Sequence, residues 1–320
     1  MKRPLLTFIP FKSHVKALSN RPLTEEEINT HLPQKKRSPC PPWYQASVIK
    51  MNSTYLECMD LMFSVKGFVT ICSLPLILIM SYVLLYIVWG AITPHGPKES
   101  LEITIFAIIV ITIFLCIFMY FLACECFRYT HCPMRFNRRT RKVYWLRIDG
   151  TVMTEDWDKL YFTLGKSSYG SQRVYALRLS EGRRDMLDYL LLPLSAPKSE
   201  PMLLSQWEYV RRYMEEPDQL GHLAGQVEQV MDVADRRESF LGGFKRLLLT
   251  LSGGFFVMLI IVWPIALAWA IGRWIAMQTC TIPVWPEEVE RECKIEPNDP
   301  YLRDRDHLAA PGTVPKPKFS

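Results

Sequence analysis

Residues 103–123 read ITIFAIIVITIFLCIFMYFLA, twenty-one consecutive positions without Asp, Glu, Lys, Arg or His. About 20 apolar residues carry a helix across the hydrocarbon core of a bilayer. Backbone groups find no water there, so the helix must satisfy them, and a charge is costly. Residues 67–92 and 247–272 have the same character. The chain reads as an α+β integral membrane protein with three transmembrane helices. The apolar part of residues 1–10 is too short for a secretory signal, so the first span serves as an uncleaved insertion signal.

Orientation follows the Lys/Arg bias at the span ends. After the second span come Arg128, Arg135, Arg138, Arg139, Arg141, Lys142 and Arg147, with no acidic residue between. Arg236, Arg237, Lys245 and Arg246 precede the third. Both flanks of the central segment therefore read as cytoplasmic. Residues 1–66 carry ten Lys/Arg against five Asp/Glu, and the tail after Met277 carries six against eight. The expected topology is that of a multi-pass protein, N-terminus in the cytoplasm and C-terminus in the periplasm.

On this reading a cytoplasmic N-terminal segment with short helices (1–66) precedes the first span (67–92). A short periplasmic loop (93–101) and the second span (102–123) follow. Then come a cytoplasmic β-rich domain with its closing helix (124–216), a connecting helix (217–246), the third span (247–275) and a periplasmic tail (276–320). Pro264 and Gly253–Gly254 interrupt the third span, but the run is short for two full crossings, so a single kinked helix is expected. Trp269 and Trp274, beside Arg273, read as an outer interfacial belt.

Between 132 and 214 the hydrophobic period changes to two. Runs at 143–148, 151–153, 161–164, 174–179 and 186–192 are short strands separated by Gly and polar turns, the loop at 165–170 and Glu181–Gly182 among them. Leu204, Trp207, Val210, Arg211 and Met214 recur at helical spacing, Ser205 with Glu208 reads as a capping box, and Pro217 stops that helix. The expected architecture is an antiparallel sandwich or barrel, like a pleckstrin-homology fold, closed by one amphipathic helix. Thr24 with Glu27 opens a short helix by the same capping logic. Residues 47–65 place Val48, Met51, Tyr55, Met59 and Met62 on one helical stripe, and 220–239 read as a further helix.

Candidate chemistry is sparse. Cys124, Cys126, His131, Cys132 and Glu125 form the only soft-ligand cluster, and their spacing matches no established metal pattern. Glu155, Asp156 and Asp158 lack a nucleophile or base nearby and read as a surface turn. No phosphate-binding glycine loop, His/Asp/Ser grouping or HExxH occurs. No enzyme, cofactor or metal is therefore expected, and a net charge of +6 points to no nucleic-acid partner. Cys280 and Cys293 share the tail. In an oxidising periplasm they could close a loop worth ~2–3 kcal/mol; two free thiols are the other reading. The basic run 135–142 also has two readings: charge holding the domain at an anionic leaflet, or a binding surface for an acidic protein or headgroup.

The stretch RFNRRTRKVY (135–144), Gly150-Thr-Val, Asp156-Trp157-Asp158 and WEYVRRYM (207–214) resemble an uncharacterised family of bacterial inner-membrane proteins. Its members are often encoded beside type VI secretion effectors. The resemblance implies a domain of unknown function acting as an immunity protein, one that neutralises a cognate effector toxin by direct binding. Arg138, Arg139, Arg141 and Lys142 are then the candidate contacts. The alternative is a non-enzymatic membrane adaptor or lipid-headgroup-binding protein.

Overall fold

The computed structural model describes residues 21–60, 62–93, 100–166, 172–180, 182, 185–192, 199–252 and 256–315. The first ten residues, most of the 93–101 loop, most of the 165–170 loop, Glu181 and Gly253–Gly254 lie outside them.

The period-two runs become strands. A five-stranded sheet has the order β2 (Val48–Met51), β3 (Tyr55–Cys58), β4 (Met134–Asn137), β5 (Lys142–Leu146) and β6 (Val152–Asp156). A four-stranded sheet has the order β1 (Arg21–Pro22), β9 (Asp185–Leu191), β8 (Gln172–Leu179) and β7 (Leu160–Lys166). All pairings are antiparallel. Neither sheet closes into a barrel, which corrects that part of the expectation. Leu56, Phe136 and Val143 of one sheet and Phe162, Val174 and Ala176 of the other share one core with Trp207, Val210 and Tyr213 of α5 (Glu200–Glu215).

Two helical expectations give way to extended chain. Residues 48–58 form the β2–β3 hairpin, because Asn52 Oδ1 accepts the N–H groups of Thr54 (2.8 Å) and Tyr55 (2.9 Å) and turns the chain there. Among the described residues of that stretch, only α2 (Met62–Val65) is helical. Of 220–239, only α6 (Leu220–Gln226) is a helix. The chain beyond it bonds instead to the head, the unit formed by the two sheets and α5, Met231 N–H donating to Val48 O at 2.8 Å. Thr24 and Glu27 do form the capping box at the start of α1 (Glu25–Asn29). Ser205 does not cap α5: Ser199 is the N-cap, and the Ser205 hydroxyl donates to Pro41 O.

Three helices are long and apolar enough to cross a membrane, over Phe63–Ile92, Leu101–Glu125 and Met258–Thr279. The first two contain α3 (Phe68–Ile92) and α4 (Leu101–Glu125), which form an antiparallel hairpin inserted between β3 and β4. Cys58 pairs with Met134 across that insertion, so both hairpin ends meet the head. The Glu125 carboxylate at the end of α4 caps α3, accepting Gly67 N–H at 2.7 Å and Thr70 N–H at 2.6 Å.

The third apolar run is divided between α7 (Phe240–Ser252) and α8 (Phe256–Thr279). These are antiparallel, since Glu238 just before α7 pairs with Arg273 near the end of α8. Thirteen helical residues rise only about 20 Å, less than the ~30 Å hydrocarbon core. The single kinked span is thus replaced by a second hairpin. Arg273 explains why: with its side chain 1% exposed, it donates to Glu238 and to the carbonyls of Phe63 (2.6 Å) and Lys66 (3.2 Å). That bonding ties α8 beside the start of α3, so the expected outer belt lies on the head side. The fit is close. A Cβ at Gly272 would sit 2.5 Å from Gly67 O.

The tail follows from this return. Thr281 bridges Tyr129, Arg303 exchanges backbone bonds with Met51 (2.9 and 2.7 Å), and Ala309 N–H donates to Val227 O at 3.0 Å. Trp285, Val289 and Cys293, on and beside α9 (Glu287–Glu292), bury against Tyr55 and Tyr144. The tail expected across the membrane from the β domain lies on that domain.

Candidate functional site

The basic run occupies the β4–β5 turn, at the end of β4 away from the helix hairpins. Asn137 shapes it: Oδ1 accepts Arg139 N–H and Thr140 N–H, both at 3.0 Å. Arg141 closes the turn with φ +57°, a left-handed conformation that a non-glycine residue adopts at a cost of order 1–3 kcal/mol. Its guanidinium bonds Asp158 Oδ2 (3.0 Å), Glu215 Oε1 (2.7 Å) and Met214 O (2.9 Å). The Asp158 bond first, then those of Glu215, hold Arg141 above its ordinary pKa. Burial pulls Glu215 upward, yet bonds from Lys35, Arg141 and Trp157 keep it below the usual carboxylate range.

Three of the four expected contact residues are thus engaged within the chain. Arg141 joins the turn to α5, Arg139 pairs with Glu296, and Lys142 holds Glu292 at 2.8 Å. Only Arg138 differs. Its N–H donates to Thr54 O at 2.9 Å, and its half-buried guanidinium has no carboxylate partner among the described residues. Arg138, Arg139 and Arg141 line a cavity of about 470 Å³ with Ser53, Met214, Glu215 and Pro217. Sequence reasoning missed Ser53, Glu215, Glu292 and Glu296. The acidic pair closing the helix before Pro217 was the one local signal for Glu215.

The other candidates serve the framework. Cys280 and Cys293 are free and sit in separate places: Cys280 Sγ donates to Glu125 O (3.4 Å), while Cys293 Sγ accepts from Asn137 Nδ2 (3.5 Å). In the soft-ligand cluster Glu125 caps a helix, Cys126 contacts the Thr70 hydroxyl at 3.5 Å, and the Cys132 N–H is taken by Asp60. Arg135 is buried between the rings of Tyr55 and Trp285 and pairs with Glu57 at 3.1 Å. The apolar residues among those that carry the family resemblance, Phe136, Val143, Trp157, Trp207, Val210 and Tyr213 among them, meet in the core. Trp157 stacks on Trp207 at 5.9 Å, and Glu208, with no exposed side-chain surface, bonds Arg211 (2.7 Å) and Arg212 (2.6 Å). They build the scaffold.

His131 supplies a pH test. Burial holds its imidazole neutral, with a pKa down to about 3, against Thr130 Oγ1 at 2.9 Å. A folded-state pKa below the unfolded ~6.5 gives stability that is complete above pH ~6.5 and is lost as pH falls toward 3. Equilibrium unfolding should show about 2 kcal/mol lost between pH 6.5 and 5, from 1.36 kcal/mol per unit. His131→Gln should flatten that slope. An unchanged slope would move the effect to another group.

A family model described as a family of unknown function, DUF6708, matches residues 111–297. No curated protein and no solved structure matches the chain.

Proposed function

Since this chain belongs to DUF6708, a family of unknown function, we propose the role implied by its resemblance to inner-membrane proteins encoded beside type VI effectors: a membrane-anchored immunity protein that binds and neutralises a type VI effector toxin without catalysis. It sits in the bacterial inner membrane, with the head and the tail together in the cytoplasm. The observation that supports the reading is a well-braced head whose rim keeps one arginine, Arg138, without a carboxylate partner among the described residues. An arginine so placed suits charge-assisted pairing with an acidic partner surface, steering encounter and weakening with salt. The headgroup-binding alternative loses its main support, because the basic turn lies at the far end of β4 from the helix hairpins.

Deleting the gene should leave the strain sensitive to its neighbours' effector in competition assays, with the wild-type gene restoring resistance. Arg138→Glu should weaken protection while membrane insertion is unchanged. A deletion strain that competes normally against an armed parent ends the immunity reading.

A further inference from the structure

We infer that a cavity on the face of β2–β4 opposite the core holds a zwitterion, the phosphoethanolamine headgroup of a bilayer lipid. The cavity measures about 880 Å³, within the ~300–1,000 Å³ usual for small-ligand sites. Its floor is a cross-strand row in which Lys50 of β2 pairs in register with Glu57 of β3, and Glu57 with Arg135 of β4. One wall is the segment carrying Asp235 and Arg237. The other is the tail from Thr281 to Glu290.

The charges lining it are unspent in balanced numbers. Lys50 is half-buried and meets no carboxylate among the described residues, and the exposed Arg237 bonds only a carbonyl, Cys280 O at 3.1 Å. Asp235 is exposed and bonds no donor among the described residues. Arg135 serves two carboxylates, Glu57 at 3.1 Å and Glu290 at 3.0 Å, so that triad keeps +1 − 2 = −1. Glu290, its side chain 51% exposed, carries that charge outward. The free charge is therefore +2 against −2. Lys50 and Asp235 line one space yet form no ion pair, because they stand on different walls. Asp304, within the field of Lys50, is spent on His307 (2.8 Å) and Asp306 N–H (3.0 Å). A simple anion would leave the carboxylates unmatched, and a simple cation the bases. A molecule with one group of each sign answers both through charge-assisted hydrogen bonds.

The same chemistry exists free in solution, and position favours the bilayer. The cavity begins where the chain leaves the apolar helices: His131 lies six residues beyond α4, and Thr281 two beyond α8. Ile282, Pro283 and Val284 continue the apolar character past that helix end, and Val284 is 57% exposed. Trp285 is fixed beside them, its Nε1 donating to Glu57 Oε1 at 2.8 Å. An apolar strip thus adjoins the charged one, as a glycerol backbone next to a headgroup requires. A primary ammonium offers three N–H donors to Asp235 and Glu290; a choline group offers none.

The test uses the full chain in nanodiscs of equal parts phosphatidylcholine and phosphatidylethanolamine, with retained lipid counted by native mass spectrometry. The parent should keep phosphatidylethanolamine in preference. Asp235→Asn should cut that preference about tenfold, and Lys50→Gln should lower retention of both lipids about as much, each the loss of one charge-assisted hydrogen bond. Equal retention of the two lipids by the parent overturns the site. So does retention that neither variant changes, and the exposed Asp235→Asn decides if Lys50→Gln fails to fold. In discs where phosphatidylglycerol replaces phosphatidylethanolamine, retention as strong as before shows a plain anion site and overturns the zwitterion. A last arm adds glycerophosphoethanolamine to discs of phosphatidylcholine alone. Saturable binding there that Lys50→Gln abolishes overturns the lipid source. The inference rests on the membrane anchorage and not on the partner reading: lipid retention is read on the purified chain and protection in cells, so either can fail alone.

Discussion

Arg273→Met is expected to destabilise the junction between the two helix hairpins by about 3–5 kcal/mol, the usual cost of removing one partner from a buried ion pair. Glu238, itself buried, would keep only Arg246 at 3.0 Å, and the carbonyls of Phe63 and Lys66 would lose their Arg273 donors. Thermal unfolding and protease sensitivity of the purified chain measure the effect. The double variant Arg273→Met with Glu238→Gln should recover part of the loss, because the buried carboxylate no longer lacks Arg273; the remainder stays lost, since Arg246 then has no carboxylate. A single variant as stable as the parent would show that the guanidinium does not hold α8 against α3.

The second large effect is qualitative. Lys159→Cys in the head and Glu288→Cys in the tail are both exposed positions, and they should react together with a membrane-impermeant thiol reagent. In intact spheroplasts both stay unlabelled if the head is cytoplasmic, and both react after lysis. Labelling of the tail alone in intact cells would restore the three-span topology and contradict the contacts of Trp285 and Arg303 with the head.

What the sequence revealed was local. The strands at 143–148, 174–179 and 186–192 and the helix ending before Pro217 were readable because alternation and helical spacing are set by near neighbours. Val48, Met51 and Tyr55 fit a helical stripe as well as a hairpin, and Asn52 decides between them through a turn that periodicity cannot register. The third apolar run was misjudged for a different reason. Counting apolar residues shows that a segment is apolar throughout; that it folds as two antiparallel helices depends on Arg273 finding Glu238, thirty-five positions earlier. The basic run is plain in the sequence, but its electrostatics are hidden there. Lys142 meets Glu292 across 150 positions, so a cluster that looked unspent in the sequence is largely neutralised in the fold.

The pairing of β3 with β4 has a consequence for how the protein is made. These adjacent strands flank seventy-five residues, 59–133, that hold the whole first hairpin. The ladder therefore cannot zip until both ends of that hairpin have come back together. Long-range pairings of this kind form late and expose unpaired edges while they wait. The last surfaces, against Trp285 and Arg303, arrive only when the second hairpin has returned in turn. A chain whose hairpins fail to return leaves open strand edges, and one whose hairpins return hides them. Completion of the head thus reports that both hairpins have returned their ends to it.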